Sequence, residues 1–314
     1  MKLVSIPANP VPEGAVVGTL TTPDRVNLRF ARWPPPPGRK GTVCVLPGRS
    51  EYIEKYFETV RDLRTRGFAV AVLDWRGQGL SDHRYRDRRK GHVRDFSEYN
   101  VDLETLMQEV VLPDCPPPYF ALGHSMGATV LIRAAHQGQR WFDRMVLTAP
   151  MIRLTGPRAR FTSRLLVRML RLSGFGSVYV PKTRRRPIMP PFMGNPLTSD
   201  PVRYARNAAI VEAEPMLGLG GPTVTWATAA LRAMRQLADP VYAGSIRQPI
   251  LMVAAGRDEI VSTAAIEDFA TILRAGSHLI VAGSRHEILM ELDRYRDQFW
   301  AAFDAFVPGT PLFG

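Results

Sequence analysis

The chain has 314 residues, of which 45% are hydrophobic and 22% charged, and this composition excludes wholesale disorder. Its length suits one large domain, or a core with an insertion, better than a string of modules. The two cysteines, Cys44 and Cys115, form no CxxC motif or Cys/His cluster, which argues against a zinc site and a disulfide scaffold. A formal net charge of +12 suggests an anionic partner, which could be nucleic acid, a membrane surface or a charged substrate.

Short apolar runs bounded by turn residues recur along the chain and predict strands buried on both faces of a parallel sheet. These runs cover Thr42–Leu46 and residues 68–73, 119–122, 145–147, 249–254 and 277–282. Between them, helical patterns cover residues 51–66, 95–111, 125–136, 263–274 and 286–306. Because strands and helices alternate, we expect right-handed βαβ crossovers and an α/β fold with a doubly wound sheet.

The alternation stops between residues 151 and 239, where the sequence is helical, basic and interrupted by prolines. We therefore predict an α/β core at residues 1–150 and 240–314 and a helical insertion at residues 151–239. Residues 151–199 hold ten basic residues and no acidic one, and thus most of the charge excess. A smaller basic cluster is diluted by Asp82 and Asp87; it comprises Arg84, Arg86, Arg88, Arg89 and Lys90.

A G-x-S-x-G motif follows the predicted strand at residues 119–122 and opens the helix at residues 125–136. A serine at such a strand-to-helix turn sits in a strained backbone, and Gly123 and Gly127 must be small because the two arms of the turn approach closely. This context predicts Ser125 as a nucleophile. The alternative is a glycine-rich turn without chemistry.

A serine nucleophile needs a base, and in this architecture the acid and then the histidine follow the serine along the chain. His286 lies in the loop after the strand at residues 277–282 and is the predicted base, whereas His278 lies inside that strand and is interpreted as structural. The loop after residues 249–254 offers Asp258, the preferred acid, with Glu259 as the fallback.

Acyl transfer also needs two N–H donors for the tetrahedral oxygen. We expect these from the backbone of Met126 and, in the loop after Thr42–Leu46, from the backbone of Arg49. Alternatively, Arg49 is a surface charge on the next helix. The glycines at residues 74–79 lack the spacing of a phosphate-binding loop, so a structural loop is the favoured interpretation.

Taken together, four segments resemble the lysophospholipase L2 and monoacylglycerol lipase branch of the α/β-hydrolase fold: GHSMG at residues 123–127, DWRGQGLS at 74–81, GHVRDF at 91–96 and GSRHE at 283–287. The resemblance covers residues 20–150 and 240–306, and residues 47–56 are more similar to the bacterial lysophospholipases. It implies a cofactor-free serine hydrolase with an inserted helical cap that sets substrate choice, and with Ser125, Asp258 and His286 at the triad positions. Pro47 stands where many relatives carry histidine, which matters less because the oxyanion donor is a backbone group.

The expected substrate is therefore an acyl ester, a lysophospholipid or a monoacylglycerol, cleaved through an acyl-enzyme. Two alternatives are a generic carboxylesterase of small esters and a non-catalytic binding protein with this fold. No metal or cofactor is expected. The first residues do not resemble a signal peptide and no apolar run is long enough for a membrane span, so we expect a cytoplasmic location.

Four arginines share one face of a predicted amphipathic helix, at positions Arg160, Arg164, Arg168 and Arg171. Such a helix can lie on an anionic membrane, and this predicts peripheral contact with the inner membrane. Alternatively, its apolar face packs over the site as a cap and the arginines are solvated. Nucleic acid is not an expected partner, because no recognition motif accompanies the basic residues.

Overall fold

The computed structural model describes residues 2–37, 40–156, 169–171, 173–180 and 189–307. The described strands form one eight-stranded sheet in the order β1-β2-β4-β3-β5-β6-β7-β8. They are β1 Val16–Thr21, β2 Asn27–Trp33, β3 Thr42–Leu46, β4 Ala69–Leu73, β5 Tyr119–His124, β6 Arg144–Thr148, β7 Ile250–Ala255 and β8 Gly276–Val281. Strands β3 to β8 pair in parallel, and β2 pairs antiparallel with both β1 and β4. The prediction of a mostly parallel α/β sheet is confirmed.

The antiparallel strands β1 and β2 were not predicted, and in β2 a buried charge interrupts the apolar pattern. Arg29 lies in the middle of β2 and is fully buried. Its guanidinium contacts Glu54 at 2.7 Å and Asp74 at 2.6 Å, so ion pairs take the place of apolar packing at this position. A second expectation was wrong for β8, which is not buried on both faces: it is the edge strand and its residues are largely exposed.

The principal helices include the five predicted between strands, which lie close to their predicted positions, with one correction. They are α1 Phe57–Thr65, α2 Ser97–Leu106, α3 Met126–His136, α4 Pro201–Ala213, α5 Val224–Leu237, α6 Pro240–Gly244, α7 Thr263–Ile272 and α8 Asp293–Phe306. A 3-10 turn, Ile53–Tyr56, precedes α1, and a π-helical turn, Met107–Val111, extends α2 to Leu112–Asp114. The helix predicted to begin at His286 begins at Asp293 instead. His286 is therefore a loop residue, followed by the 3-10 turn Ile288–Met290.

Alternate residues of the central strands enter two hydrophobic clusters, one on each face of the sheet. In β4, Ala71 and Leu73 pack in the cluster that includes α2, α3 and α7, whereas Val70 and Val72 pack in the cluster that includes α1 and α8. Helices thus cover both faces, and the carboxyl ends of the parallel strands remain at one edge, where a doubly wound sheet places its site.

The described part of residues 151–239 contains α4 and α5 and contributes to no multi-residue strand pairing, although single bridges join Leu154 to Val261 and Tyr179 to Thr223. The division into core and cap stays a prediction. Of the four arginines of the predicted basic helix, Arg160, Arg164 and Arg168 lie outside the described residues. Among the helices that the structure describes, none is both long enough and apolar enough to cross a bilayer.

Candidate active site

Ser125 occupies a sharp turn between the end of β5 and the first residue of α3, Met126. Its backbone has φ +48° and ψ −107°, a conformation that side-chain-bearing residues rarely adopt. The turn is tight: a Cβ added to Gly127 would lie 2.2 Å from the carbonyl oxygen of Leu46, and one added to Gly123 would lie 2.6 Å from Leu131. Both glycines of the motif are therefore required by close packing, as predicted.

The structure brings Ser125, His286 and Asp258 into one hydrogen-bonded chain at the carboxyl edge of the sheet. His286 Nε2 lies 3.1 Å from Ser125 Oγ, and His286 Nδ1 lies 2.7 Å from Asp258 Oδ2. The loops after β5, β7 and β8 supply the three residues. The two alternatives do not join them: Glu259 is exposed, and His278 is an exposed residue of β8 that lies 3.8 Å from Glu267.

The Asp258 carboxylate is buried and held from both sides. One oxygen contacts His286, and the other accepts the backbone N–H groups of Ile260 and Val261 at 2.7 and 2.9 Å. Burial alone would raise the pKa of Asp258, but His286 and these N–H donors outweigh burial and lower the pKa below its ordinary value. Asp258 is therefore ionised at neutral pH and can orient the imidazole ring.

The backbone N–H groups of Met126 and Arg49 donate to no acceptor among the described residues. The loop that carries Arg49 is fixed on both sides of it. Trp75 donates its indole N–H to the carbonyl of Pro47 at 2.8 Å, and the Ser50 N–H donates to Gln78 Oε1 at 2.5 Å. The loop is thus anchored around Arg49, and the role of these two N–H groups as oxyanion donors stays a prediction.

The Arg49 side chain is not a surface charge. Its guanidinium donates to the carbonyl of Gly220 at 2.7 Å and to Ser50 Oγ at 3.0 Å, and it lies 4.8 Å from the centre of the Trp226 ring. Burial lowers the pKa of Arg49 to about 10. This side chain joins the loop of the predicted oxyanion donor to the segment around α5.

The loop at residues 74–79 is structural, in agreement with the favoured interpretation. The buried Asp74 carboxylate accepts the N–H groups of Ile53 and Leu80 and contacts Arg29, so it is fully used in holding neighbouring loops. Gly79 has φ +53°, and a Cβ there would lie 2.2 Å from the Asp74 carboxylate.

Sequence reasoning missed a buried ionic cluster beside His286, composed of Glu51, Lys55 and Glu287. Lys55 Nζ lies 2.8 Å from Glu51 and 2.6 Å from Glu287. The Glu51 carboxylate also accepts the N–H of Gly48, in the loop of the predicted oxyanion donor. In the sequence, Glu51 and Lys55 have the i, i+4 spacing of an ordinary helix-surface pair, so only the position of Glu287 next to His286 could have indicated the cluster.

His124, the residue before Ser125, connects this cluster to the site. Its ring centre lies 4.9 Å from that of His286, and its Nε2 lies 3.7 Å from Glu51. Burial lowers the pKa of His124 to about 4, and the nearby His286 lowers it further. The carboxylate of Glu51 acts in the opposite direction but does not offset burial. His124 is therefore neutral at pH 7.

Residues 37–293 match the family Hydrolase_4, described as serine aminopeptidase, S33. The chain is 32% identical to lysophospholipase L2 of Escherichia coli K12 over 283 residues, which cover 87% of this chain and 82% of that one. It is 29% identical to a monoacylglycerol lipase of Mycolicibacterium smegmatis, over 40% of this chain and 44% of that one.

Among solved structures, a soluble variant of the monoglyceride lipase of Saccharomyces cerevisiae, in complex with a substrate analog, aligns with a TM-score of 0.74 and 19% identity. The alignment covers 94% of this chain and 96% of that one. At this identity the likeness concerns the fold alone. The predicted α/β-hydrolase fold, the predicted relatives and the assignment to carboxylic ester hydrolases are confirmed by these comparisons. The chain belongs to the Hydrolase_4 family of serine aminopeptidase S33-type hydrolases.

Proposed function

We propose that this protein is a serine hydrolase that cleaves the acyl ester of lysophospholipids, and also of monoacylglycerols, through an acyl-enzyme. One observation carries the proposal: the hydrogen-bonded chain from Ser125 Oγ through His286 to Asp258, at a turn whose backbone is strained. The relationship to lysophospholipase L2 over most of both chains favours an ester of a lipid over a small soluble ester.

In the proposed acylation, Ser125 Oγ attacks the ester carbonyl carbon while His286 Nε2 takes the hydroxyl proton. Asp258 keeps the Nδ1–H tautomer in place and stabilises the imidazolium that forms. The carbonyl oxygen, now negatively charged, accepts the N–H groups of Met126 and Arg49, and the amino-terminal end of α3 adds a favourable field.

The tetrahedral intermediate collapses when the bond to the glycerol oxygen breaks and His286 returns its proton to that oxygen. The deacylated glycerol product leaves, and a water molecule takes its place. His286 removes one proton from this water, whose oxygen attacks the acyl carbon, and the second collapse releases the fatty acid and restores the Ser125 hydroxyl.

The test compares the wild type with Ser125→Ala on lysophospholipids, monoacylglycerols and short p-nitrophenyl esters, together with labelling by a fluorophosphonate. We expect labelling of the wild type only, and a loss of turnover of about 10⁴-fold or more in Ser125→Ala. Ser284→Ala is the control, because Ser284 is buried near the site but bonds to the carbonyl of Val281.

Each alternative has its own outcome in this test. Labelling together with turnover of short esters alone would identify a generic carboxylesterase. A wild type that is neither labelled nor active would identify a non-catalytic binding protein. Near wild-type activity of Ser125→Ala would remove Ser125 from the mechanism.

We also propose reversible contact with an anionic membrane, at the cytoplasmic face of the inner membrane, through the basic segment of residues 151–199. Support comes from the sequence, since this segment carries ten basic residues and no acidic one. Such a charge distribution attracts anionic lipid headgroups without any membrane span.

A further inference from the structure

Arg49 is a half-buried cation that has no carboxylate partner among the described residues. Its contacts are with neutral groups: the hydroxyl of Ser50, the carbonyl of Gly220 and the ring of Trp226. No carboxylate of the described residues acts on it, and its Nε is buried without an acceptor among those residues. The ranges outside the description contain no aspartate or glutamate, so no acidic side chain there can pair with it.

By contrast, three buried cations each contact at least two carboxylates. Arg29 contacts Glu54 and Asp74, Lys55 contacts Glu51 and Glu287, and Arg76 contacts Asp24 and Asp102. Withdrawing a charge from water without a counter-charge is unfavourable, so a half-buried guanidinium that has no carboxylate partner and a buried Nε points to a function outside the fold itself.

The position of Arg49 connects it to the substrate. Its backbone N–H is a proposed oxyanion donor, so the side chain begins at the scissile ester and extends from there to Gly220. The Gly220 N–H in turn donates to the carbonyl of Arg89 at 2.8 Å, and Lys90 Nζ lies 5.4 Å from the centre of the Tyr179 ring. The basic loop at residues 84–90 therefore adjoins the end of the Arg49 side chain.

We propose that Arg49 determines substrate specificity, by binding the phosphate of a lysophospholipid headgroup while its own N–H binds the ester oxygen. This inference rests on the proposed function. A guanidinium has five N–H donors in a planar fork that matches phosphate oxygens, and here two are used by Ser50 and Gly220. In a lysophospholipid only the glycerol carbons separate ester from phosphate, so one residue can hold both groups. A monoacylglycerol presents a hydroxyl there and gains nothing from the charge.

The experiment compares Arg49→Met and Arg49→Lys with the wild type on a 1-acyl-glycerophosphoethanolamine and on a 1-acylglycerol with the same acyl chain. Both variants keep the backbone N–H in the oxyanion site. We expect Arg49→Met to lower kcat/KM for the lysophospholipid about 10- to 100-fold, mainly by raising KM, as for loss of a charge-assisted contact. Hydrolysis of the 1-acylglycerol should also fall, but by a smaller factor, because loss of the contacts to Ser50 and Gly220 loosens the oxyanion loop for both esters. The readout is therefore the ratio of the two kcat/KM values, which should drop about tenfold in Arg49→Met. Arg49→Lys should keep part of the preference, because it keeps the charge.

The control is Arg66→Met, because the Arg66 guanidinium also lies over a tryptophan ring, that of Trp300, and pairs with Asp304. It should leave the ratio of the two kcat/KM values unchanged. A probe that needs no turnover is sn-glycerol 3-phosphate, which should compete with substrate in the wild type but not in Arg49→Met, whereas glycerol should compete in neither.

Equal losses on both substrates, or no loss on either, would overturn the inference, and so would a wild type that prefers the monoacylglycerol. If Arg49→Met does not fold, failure of sn-glycerol 3-phosphate to inhibit the wild type overturns it as well. A wild type that hydrolyses neither ester contradicts the proposed function instead, so the two failures are distinguishable.

Discussion

Asp258 reaches His286 with one carboxylate oxygen and is fixed by its own loop with the other. The 2.7 Å contact to His286 Nδ1 uses Oδ2, while Oδ1 accepts two backbone N–H groups. An acid that is immobilised in this way holds the ring in one orientation, and it holds Nε2 toward Ser125 Oγ. The neighbouring Glu259 is exposed, whereas the Asp258 carboxylate is buried.

We therefore expect Asp258→Asn to lower kcat by about 10³- to 10⁴-fold, because an amide cannot keep the proton on the Nδ1 side of His286. Glu259→Gln is the matched control and should stay within a few-fold of the wild type. The measurement is steady-state hydrolysis of a p-nitrophenyl ester by both purified variants. The reverse ranking would assign the acid to Glu259.

Lys55 should support catalysis without touching the substrate, since it holds Glu51 behind the oxyanion loop and Glu287 beside His286. Breaking a buried pair costs about 3–5 kcal/mol of the free energy of unfolding, so Lys55→Met should be less stable. We expect in addition a lower kcat at an unchanged KM, because the oxyanion donor and the base both lose their supports. Lys55→Arg should recover part of kcat.

Arg76→Met separates support of the site from general stability. Arg76 is also buried, and it pairs with Asp102 on α2 and with Asp24. It should lower the midpoint of thermal unfolding while kcat, measured well below that midpoint, stays near wild type. Equal kcat values for Lys55→Met and Arg76→Met would reduce the Lys55 cluster to a purely structural feature.

The sequence predicts the parts of this molecule that depend on local pattern. The six parallel strands are apolar runs, and Ser125 and His286 follow from a motif and from chain order. The ionic clusters are different, because Lys55 and Glu287 belong to opposite ends of the chain and meet only in the folded state. Strand β2 could not be predicted for the same reason. Arg29 can be buried inside the sheet only because Glu54 and Asp74 contact it from other elements.

Protonation of buried histidines should destabilise the protein as the pH falls from about 6.5 to 4. The pKa of His124 is lowered by burial to about 4, so the unfolded chain binds more protons between that value and about 6.5. Stability is therefore complete above pH 6.5 and falls as the pH is lowered toward 4, by at most about 3 kcal/mol from this residue. The pKa of Glu51 is lowered to about 2 by Lys55 and His124 despite burial. The stability that ionised Glu51 contributes is therefore lost only below about pH 4.5.

Urea unfolding at intervals from pH 7 to pH 4.5 measures this dependence. His124→Asn, which keeps a polar group toward Thr148, should flatten the slope between pH 6.5 and 4.5. His83 and His92, whose pKa values are also lowered to about 4, leave a residual slope, and Asp102, whose pKa burial raises to about 6, opposes it because the folded protein takes up that proton first. His278→Asn is the control, because His278 is exposed on β8. An unaltered slope in His124→Asn would mean that His124 is not the neutral, buried group described above.

The final prediction concerns the basic segment of residues 151–199. Each arginine near an anionic leaflet contributes about 1 kcal/mol, so four on one helix face would raise partitioning roughly a thousandfold. The measurement is co-sedimentation with vesicles that contain anionic lipid, for the wild type and for the double variant Arg164→Glu with Arg168→Glu. The control is Arg64→Glu with Arg66→Glu, which changes the net charge equally on α1 and the residue after it.

We expect the wild type and the α1 control to sediment at low salt and the segment variant to stay in solution. Binding should weaken as the Debye length falls from about 10 Å at 0.1 M salt to about 3 Å at 1 M. Apolar packing of a cap helix over the acyl site would be nearly independent of salt, so the two interpretations of the segment separate in one titration. Equal sedimentation of all three proteins would show that Arg164 and Arg168 do not mediate binding to the vesicles. The interpretation of the segment as a cap would then be the one supported.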